Sequence, residues 1–252
     1  MSGHSKWAGI KHKKAVVDAR RGQLFTKVSR ELSVSAREGG PDPDGNFRLR
    51  LAIQKAREVN MPADNIDRAI QRGAGGKEGV QLEEVRYEGY GPNGVAVMVD
   101  TLTDNRNRTV AAIRNVFTRS GGSLGESNSV AWMFTQQGII RLKAGGRDPD
   151  ELALELVDAV DLGEGGDVTV DGREVEVTVA PAQFEAARRA LEARGYDIEH
   201  AEVTMNPSTS VPLDARQAPA VLRLLDALEE HDDVQQVYAN AEIPDEVLET
   251  VG

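Results

Sequence analysis

Val168-Thr169-Val170-Asp171-Gly172-Arg173-Glu174-Val175-Glu176-Val177-Thr178-Val179 (residues 168–179) holds two strand-like runs, Val168–Val170 and Glu174–Val179, rich in β-branched residues. Helical spacing flanks them, at Pro149–Val160 before and Pro181–Arg194 after. Further strand runs stand at Ile139–Leu142 and Ile198–Thr204. The order βαββαβ is the split-βαβ, ferredoxin-like pattern, a sheet with two helices on one face. With this segment removed, the flanking chain offers strand 95–101, helix 106–120, strand 130–134, a short strand at Ser210–Leu213, helix Asp214–Glu230 and strand Val234–Ala239. That is βαββαβ again, so one such domain is expected to be inserted into another.

Outside this pair of domains the pattern is helical. Leu24, Val28, Leu32 and Ala36 recur at four-residue spacing, and Gly39-Gly40-Pro41 stops the stripe. Asn46 can cap a second helix with Leu49, Ala52, Ile53, Ala56 and Val59 on one face. Met61-Pro62 ends it and opens a third, with Ile66, Ala69 and Ile70 inward and Gly73 as the expected C′ residue. Residues 73–80 read as a flexible linker that few contacts should cross. Glu84–Tyr90 and Val95–Val99 form a hairpin around Gly91-Pro92-Asn93-Gly94, the second strand buried on both faces. The expected class is α+β: an N-terminal three-helix bundle followed by two ferredoxin-like α/β domains. The boundaries are 1–78 for a basic helical domain, 79–135 plus 207–252 for a discontinuous domain, and 136–206 for the inserted one.

The charge is divided unevenly. Residues 1–80 hold 16 Lys and Arg against 9 Asp and Glu, whereas residues 81–252 hold 14 against 32, so a basic head precedes an acidic body within a chain of net charge −11. Clustered cations gain affinity for polyanions by releasing counterions, which points to nucleic acid as the head's partner. The candidates for phosphate contact are Lys6, Lys11, Lys13, Lys14, Arg20, Arg21, Lys27 and Arg30, with His12 among them. Trp7 can stack on an exposed base or plug the bundle, and the plug is favoured because aromatics supply large buried area. His4 and His12 lack a nearby third ligand, so no metal site is expected.

In the body, Asp104-Asn105-Arg106-Asn107-Arg108 is the densest polar motif. Asp104 or Asn105 can cap a helix, but Arg106 and Arg108 oppose its dipole and need another reason to be there, either carboxylate partners or phosphate. The loop from Arg119 through Gly121 and Gly122 to Ser127 can present backbone N–H groups to an anion or serve as a plain turn. No Walker loop, nucleophile elbow or His-x-x-x-His pair is present, and Asp42-Pro43-Asp44-Gly45 lacks the later ligands of a calcium loop. An enzyme, a cofactor or a small-molecule substrate is therefore not expected. The absence of cysteine excludes disulfides and thiolate chemistry and fits a cytoplasmic location. No apolar run approaches a membrane span and no apolar leader is visible, so no membrane partner is expected.

Several of these stretches carry a family likeness. Gly3-His4-Ser5-Lys6-Trp7, Ile10-Lys11-His12-Lys13-Lys14, Arg20-Arg21-Gly22 and Phe25-Thr26-Lys27 resemble the opening of the YebC family. The likeness continues through Asn60-Met61-Pro62, Tyr87-Glu88-Gly89-Tyr90-Gly91-Pro92, Thr103-Asp104-Asn105-Arg106-Asn107-Arg108, Ser129-Val130-Ala131-Trp132-Met133-Phe134 and Asp232-Asp233-Val234-Gln235. Gly45-Asn46-Phe47 and Asn206 depart from the family pattern. The resemblance implies the same three-domain layout and a regulator of gene expression, with two candidate targets. One is the ribosome, where such factors help synthesis through difficult stretches such as proline runs. The other is duplex DNA near promoters, although the basic helix shows no helix-turn-helix signature or base-reading set at its N-terminus. A protein–protein adaptor is a third reading, and a monomer is expected.

Overall fold

The computed structural model describes residues 18–75, 82–244 and 247, with side chains from Gly22 onward. Among the described residues three helices come first: α1 (Asp18–Gly39), α2 (Phe47–Glu58) and α3 (Ala63–Ala74). Their shared core is Val28, Leu32, Ala36, Leu49, Ala52, Ala56, Met61, Ile66 and Ala69, the stripes that helical spacing places inward. Gly40 takes φ +88° just beyond α1, a left-handed turn that ends the helix without a Cβ penalty. Asn46 caps α2 by accepting the Leu49 N–H (3.0 Å), so the unusual Gly-Asn-Phe start keeps an ordinary cap. Gly73 is not the residue beyond α3. It lies inside that helix and is buried, and a Cβ there would stand 2.1 Å from the Ser33 carbonyl oxygen of α1. The glycine is required by the close approach of two backbones, not by a helix end.

An antiparallel sheet follows. β1 (Glu83–Tyr90) and β2 (Ala96–Thr103) pair along their whole length from Glu83↔Thr103 to Tyr90↔Ala96. Every residue of β2 except Asp100 is buried. With α4 (Arg106–Arg119), β3 (Ser123–Leu124), α7 (Ala218–Glu229) and β9 (Val234–Ala239) they make a sheet of order β3-β1-β2-β9. β8 (Val211–Pro212) pairs with β10 (Ala241–Glu242) in a separate two-stranded sheet.

The strand expected at 130–134 is a correction. Ala131–Met133 is a single 3-10 turn, and β4 runs unbroken from Phe134 to Lys143. Gly138, in its middle, is no break: a Cβ there would meet the Phe184 ring at 2.5 Å, so the gap is filled by Phe184. β4 is followed by α5 (Pro149–Ala159), β5 (Asp167–Asp171), β6 (Glu174–Val179), α6 (Phe184–Ala193) and β7 (Ile198–Pro207). Their sheet order, β5-β6-β4-β7, is the split-βαβ arrangement. Asn206 lies within β7, paired with Thr135 of β4, and its side-chain amide donates to the Gln137 Oε1 at 2.8 Å. Trp132–Ser210 forms one compact unit, and the remaining described residues downstream of Gly9 form the other. The fold is α+β, with a helical N-terminal region ahead of the sheets. No helix among the described residues is long and apolar enough to cross a membrane.

Candidate nucleic-acid interface

Two of the head's predicted phosphate contacts have protein partners. Lys27 Nζ donates to the backbone carbonyl of Glu229, at the end of α7. Arg30 donates from one nitrogen to the Asp232 carbonyl (2.8 Å) and to Asp233 Oδ1 (2.9 Å). The last carbonyls of a helix have no intrahelical partner and carry partial negative charge, so cations settle there. Two further contacts bridge the head and the outer sheet: Arg48 pairs with Glu84, and Arg37 donates to the Leu82 carbonyl at 2.9 Å. The expectation of few contacts across the linker is therefore replaced by four charged anchors. Arg20 and Arg21 lie on α1, but their side chains, like Lys6, Trp7, Lys11, His12, Lys13 and Lys14, fall outside the described residues.

Asp233 is the centre of this junction. Its carboxylate is almost wholly buried and accepts from Thr109 Oγ1 (2.7 Å), Arg30 (2.9 Å) and Arg108 (2.9 Å), with Thr103 Oγ1 farther off at 3.4 Å. Burial is the largest influence and would raise its pKa. The donors from Arg108, Thr109 and Arg30 together outweigh it and hold the carboxyl below its ordinary value near 3.8. Thus Arg108, which opposes the dipole of α4, is explained by Asp233 and by Asp104 one turn back (2.6 Å). Asn105 caps α4 by accepting the Arg108 N–H at 3.0 Å. Gln23, Arg30, Asp104, Arg108, Glu230, His231, Asp232 and Asp233 surround an open cleft of about 490 Å³, whose lining has more carboxylates than cations.

Away from that cleft, α4 is the exception in an acidic body: it carries four arginines and no acid. Arg106, Arg114 and Arg119 are exposed, and their guanidinium groups have no ion-paired or hydrogen-bonded partner among the described residues. Sequence reasoning passed over Arg114, which the absence of any acid within 106–119 could have flagged. Asn107, Asn115 and Thr118 are exposed on the same helix.

The loop beyond α4 does not present an anion cradle. The N–H groups of Gly121, Gly122 and Gly125 donate to the carbonyls of Thr118, Phe117 and Glu88, and Ser123–Leu124 pairs with β1. Farther on, the N–H groups of Asn128, Val130 and Ala131 converge at 2.7–2.8 Å on the buried Glu88 carboxylate. The Glu88 side chain thus occupies three donors just beyond the loop whose own N–H groups the sequence offers as an anion site. Glu88 was visible in the sequence only as part of a family motif. Among the described residues no cluster of His, Asp and Glu could hold a metal ion.

Comparison with known proteins places these features in context. Residues 5–76 match the model of the TACO1/YebC protein N-terminal domain, and residues 82–241 match that of the TACO1/YebC second and third domain. A probable transcriptional regulatory protein of Shewanella oneidensis is 54% identical over 252 residues and covers all of both chains. One from Dictyoglomus thermophilum, under the same description, is 50% identical with the same coverage. The crystal structure of a conserved hypothetical protein, Aq1575 of Aquifex aeolicus, superposes with a TM-score of 0.80 at 48% identity, covering 93% of this chain and 96% of that one. The head, the sheet units and the relatives agree: this chain belongs to the TACO1/YebC family.

Proposed function

We propose that this protein is a cytoplasmic, non-enzymatic nucleic-acid-binding regulator of gene expression that works on the ribosome, as a translational activator easing synthesis through difficult stretches such as proline runs. The observation that carries the nucleic-acid reading is α4: four arginines without an acid, three of them unpaired among the described residues, on a body whose residues 81–252 hold 14 cations against 32 acids. Such a helix attracts phosphate where the rest of the body repels it. The basic head supplies the larger part of the affinity on this reading, and α4 supplies a second point of attachment. The ribosome is preferred because Lys27 and Arg30 of α1 are turned toward the body, which leaves that part of the helix unsuited to lying in a DNA groove.

Promoter DNA is the second reading. The relatives' description as probable transcriptional regulators favours it, as do exposed Arg106 and Asn107 at the N-terminus of α4. Cosedimentation with ribosomes from lysate, repeated after DNase and after RNase, separates the two. The ribosome reading expects binding that survives DNase and is lost with RNase. Arg106→Ala with Arg114→Ala should keep ribosome binding through the head yet reduce proline-run synthesis in a purified translation system, with melting temperature unchanged. Loss of promoter occupancy in the same variant, with synthesis intact, would select DNA instead.

A further inference from the structure

The unit Trp132–Ser210 has a feature that nucleic-acid binding does not use. Four large apolar side chains stand exposed among the described residues, and three of them, Leu154, Val157 and Val170, belong to α5 and β5. α5 packs over β5 and buries Leu152, Leu156 and Ala159. At about 100° per residue, Leu154 and Val157 point away from that buried face. Glu155 reaches the Tyr196 hydroxyl (3.2 Å) just beyond α6, which identifies the flank of α5 that faces its neighbouring helix. Val157 lies on the opposite flank, above the outer edge of β5.

β5 itself is an edge strand: it pairs with β6 and with no other strand among the described residues. Val170 is opposite the fully buried Val175, so its side chain shares the helix-bearing face with α5. The Val168 N–H donates to the Asp167 side chain (2.8 Å) and not to β6, which marks it as facing outward. By the alternation of an antiparallel ladder, Val170 directs its N–H and C=O to the same outer side. Among the described residues, an unpaired strand edge and an apolar flank therefore run side by side.

Charge selects what can lie there. Residues 148–172 contain nine Asp and Glu and no Lys or Arg. That field repels nucleic acid, and it repels the same edge of a second copy, which is the usual protection of an edge strand against self-pairing. It attracts a cationic polypeptide. We propose that the outer edge of β5 and the adjoining flank of α5 form a docking strip for an extended, lysine- or arginine-rich segment of a partner protein, which adds to β5 as a further strand and lays its apolar side chains against Val170 and Val157. Strand addition supplies affinity through backbone hydrogen bonds, and alternate side chains supply selectivity. The incoming strand would take over the Val168 N–H from Asp167.

The test uses the full chain and two synthetic peptides of alternating lysine and valine, identical in charge, one with N-methyl groups on alternate amides so that it cannot extend a sheet. Titration calorimetry should show the unmodified peptide binding about tenfold more tightly than its methylated twin, as expected when main-chain bonds carry affinity. Val157→Lys with Val170→Lys should abolish that preference without moving the melting temperature, since both side chains are exposed. Equal binding of the two peptides would reduce the strip to a diffuse polyanion and overturn the proposal. Undiminished preference in the double variant, or no binding of either peptide, would do the same.

Discussion

Asp233→Ala is the most informative single change in this protein. The substitution removes an acceptor shared by Thr109, Arg30 and Arg108 at a nearly inaccessible position. Thr103 and Thr109 are 2.7 Å apart and can satisfy each other, and half-exposed Arg108 can turn to water while keeping Asp104, so the change strands no buried donor. What remains is one hydroxyl bond to a buried carboxylate and the Arg30 bond that joins the head to the outer sheet. Together they amount to about 2–3 kcal/mol, allowing for the desolvation that the carboxylate no longer suffers. For a unit of this size the midpoint should fall by roughly 5–10 °C in thermal unfolding followed by circular dichroism. Asp232→Ala is the control, because Asp232 contributes only its backbone carbonyl to Arg30. The acid limb gives an independent check. Asp233 ionises more readily folded than unfolded, so the unfolded chain binds more protons at low pH. Its contribution is complete above its ordinary value near 3.8 and is lost as pH falls through the lower folded value. The stability difference between the parent and Asp233→Asn should therefore narrow below about pH 4. A midpoint for Asp233→Ala within a degree or so of the parent, or an equal effect of Asp232→Ala, would refute the reasoning.

Two other predictions concern the head. Gly73→Ala places a methyl group against the Ser33 carbonyl, where backbone must move, so it should cost about 1–3 kcal/mol in urea denaturation of the head although alanine is the better helix former. A chain cut within residues 76–81 at an engineered protease site should leave the two fragments together in gel filtration at low salt, because Arg30, Lys27, Arg48 and Arg37 still bridge them. Separate elution at low salt would show that those anchors are too weak to hold the head.

Local patterning was legible wherever one residue's surroundings are set by its neighbours in the chain. Leu32, Ala36, Leu49, Ala52 and Ala56 sit where a period near four places them, Asn46 caps as its side chain allows, and β2 is as apolar as its burial demands. The glycines were where reading by neighbours failed. Gly73 reads as a helix end and Gly138 falls between two runs that read as separate strands, yet each sits inside a regular element because a distant residue, Ser33 or Phe184, needs the space. The turn at Ala131–Met133 follows from the same limit: three of the donors at its approach are held by Glu88, some forty residues earlier.

The candidate site divides along the same line. Amino-acid sequence alone determined the class of fold, the three N-terminal helices and the split between a basic head and an acidic body, because composition and periodicity are local properties of a chain. Tertiary structure alone decided which cations are committed. Lys27, Arg30 and Arg108 were indistinguishable in sequence from Arg106 and Arg119 as phosphate ligands. The first three lie within reach of the end of α7 or of Asp233, and the last two do not. A charge is available to a partner only when no internal counter-charge has already taken it, and the carboxylate that takes Arg30 stands 203 residues away along the chain.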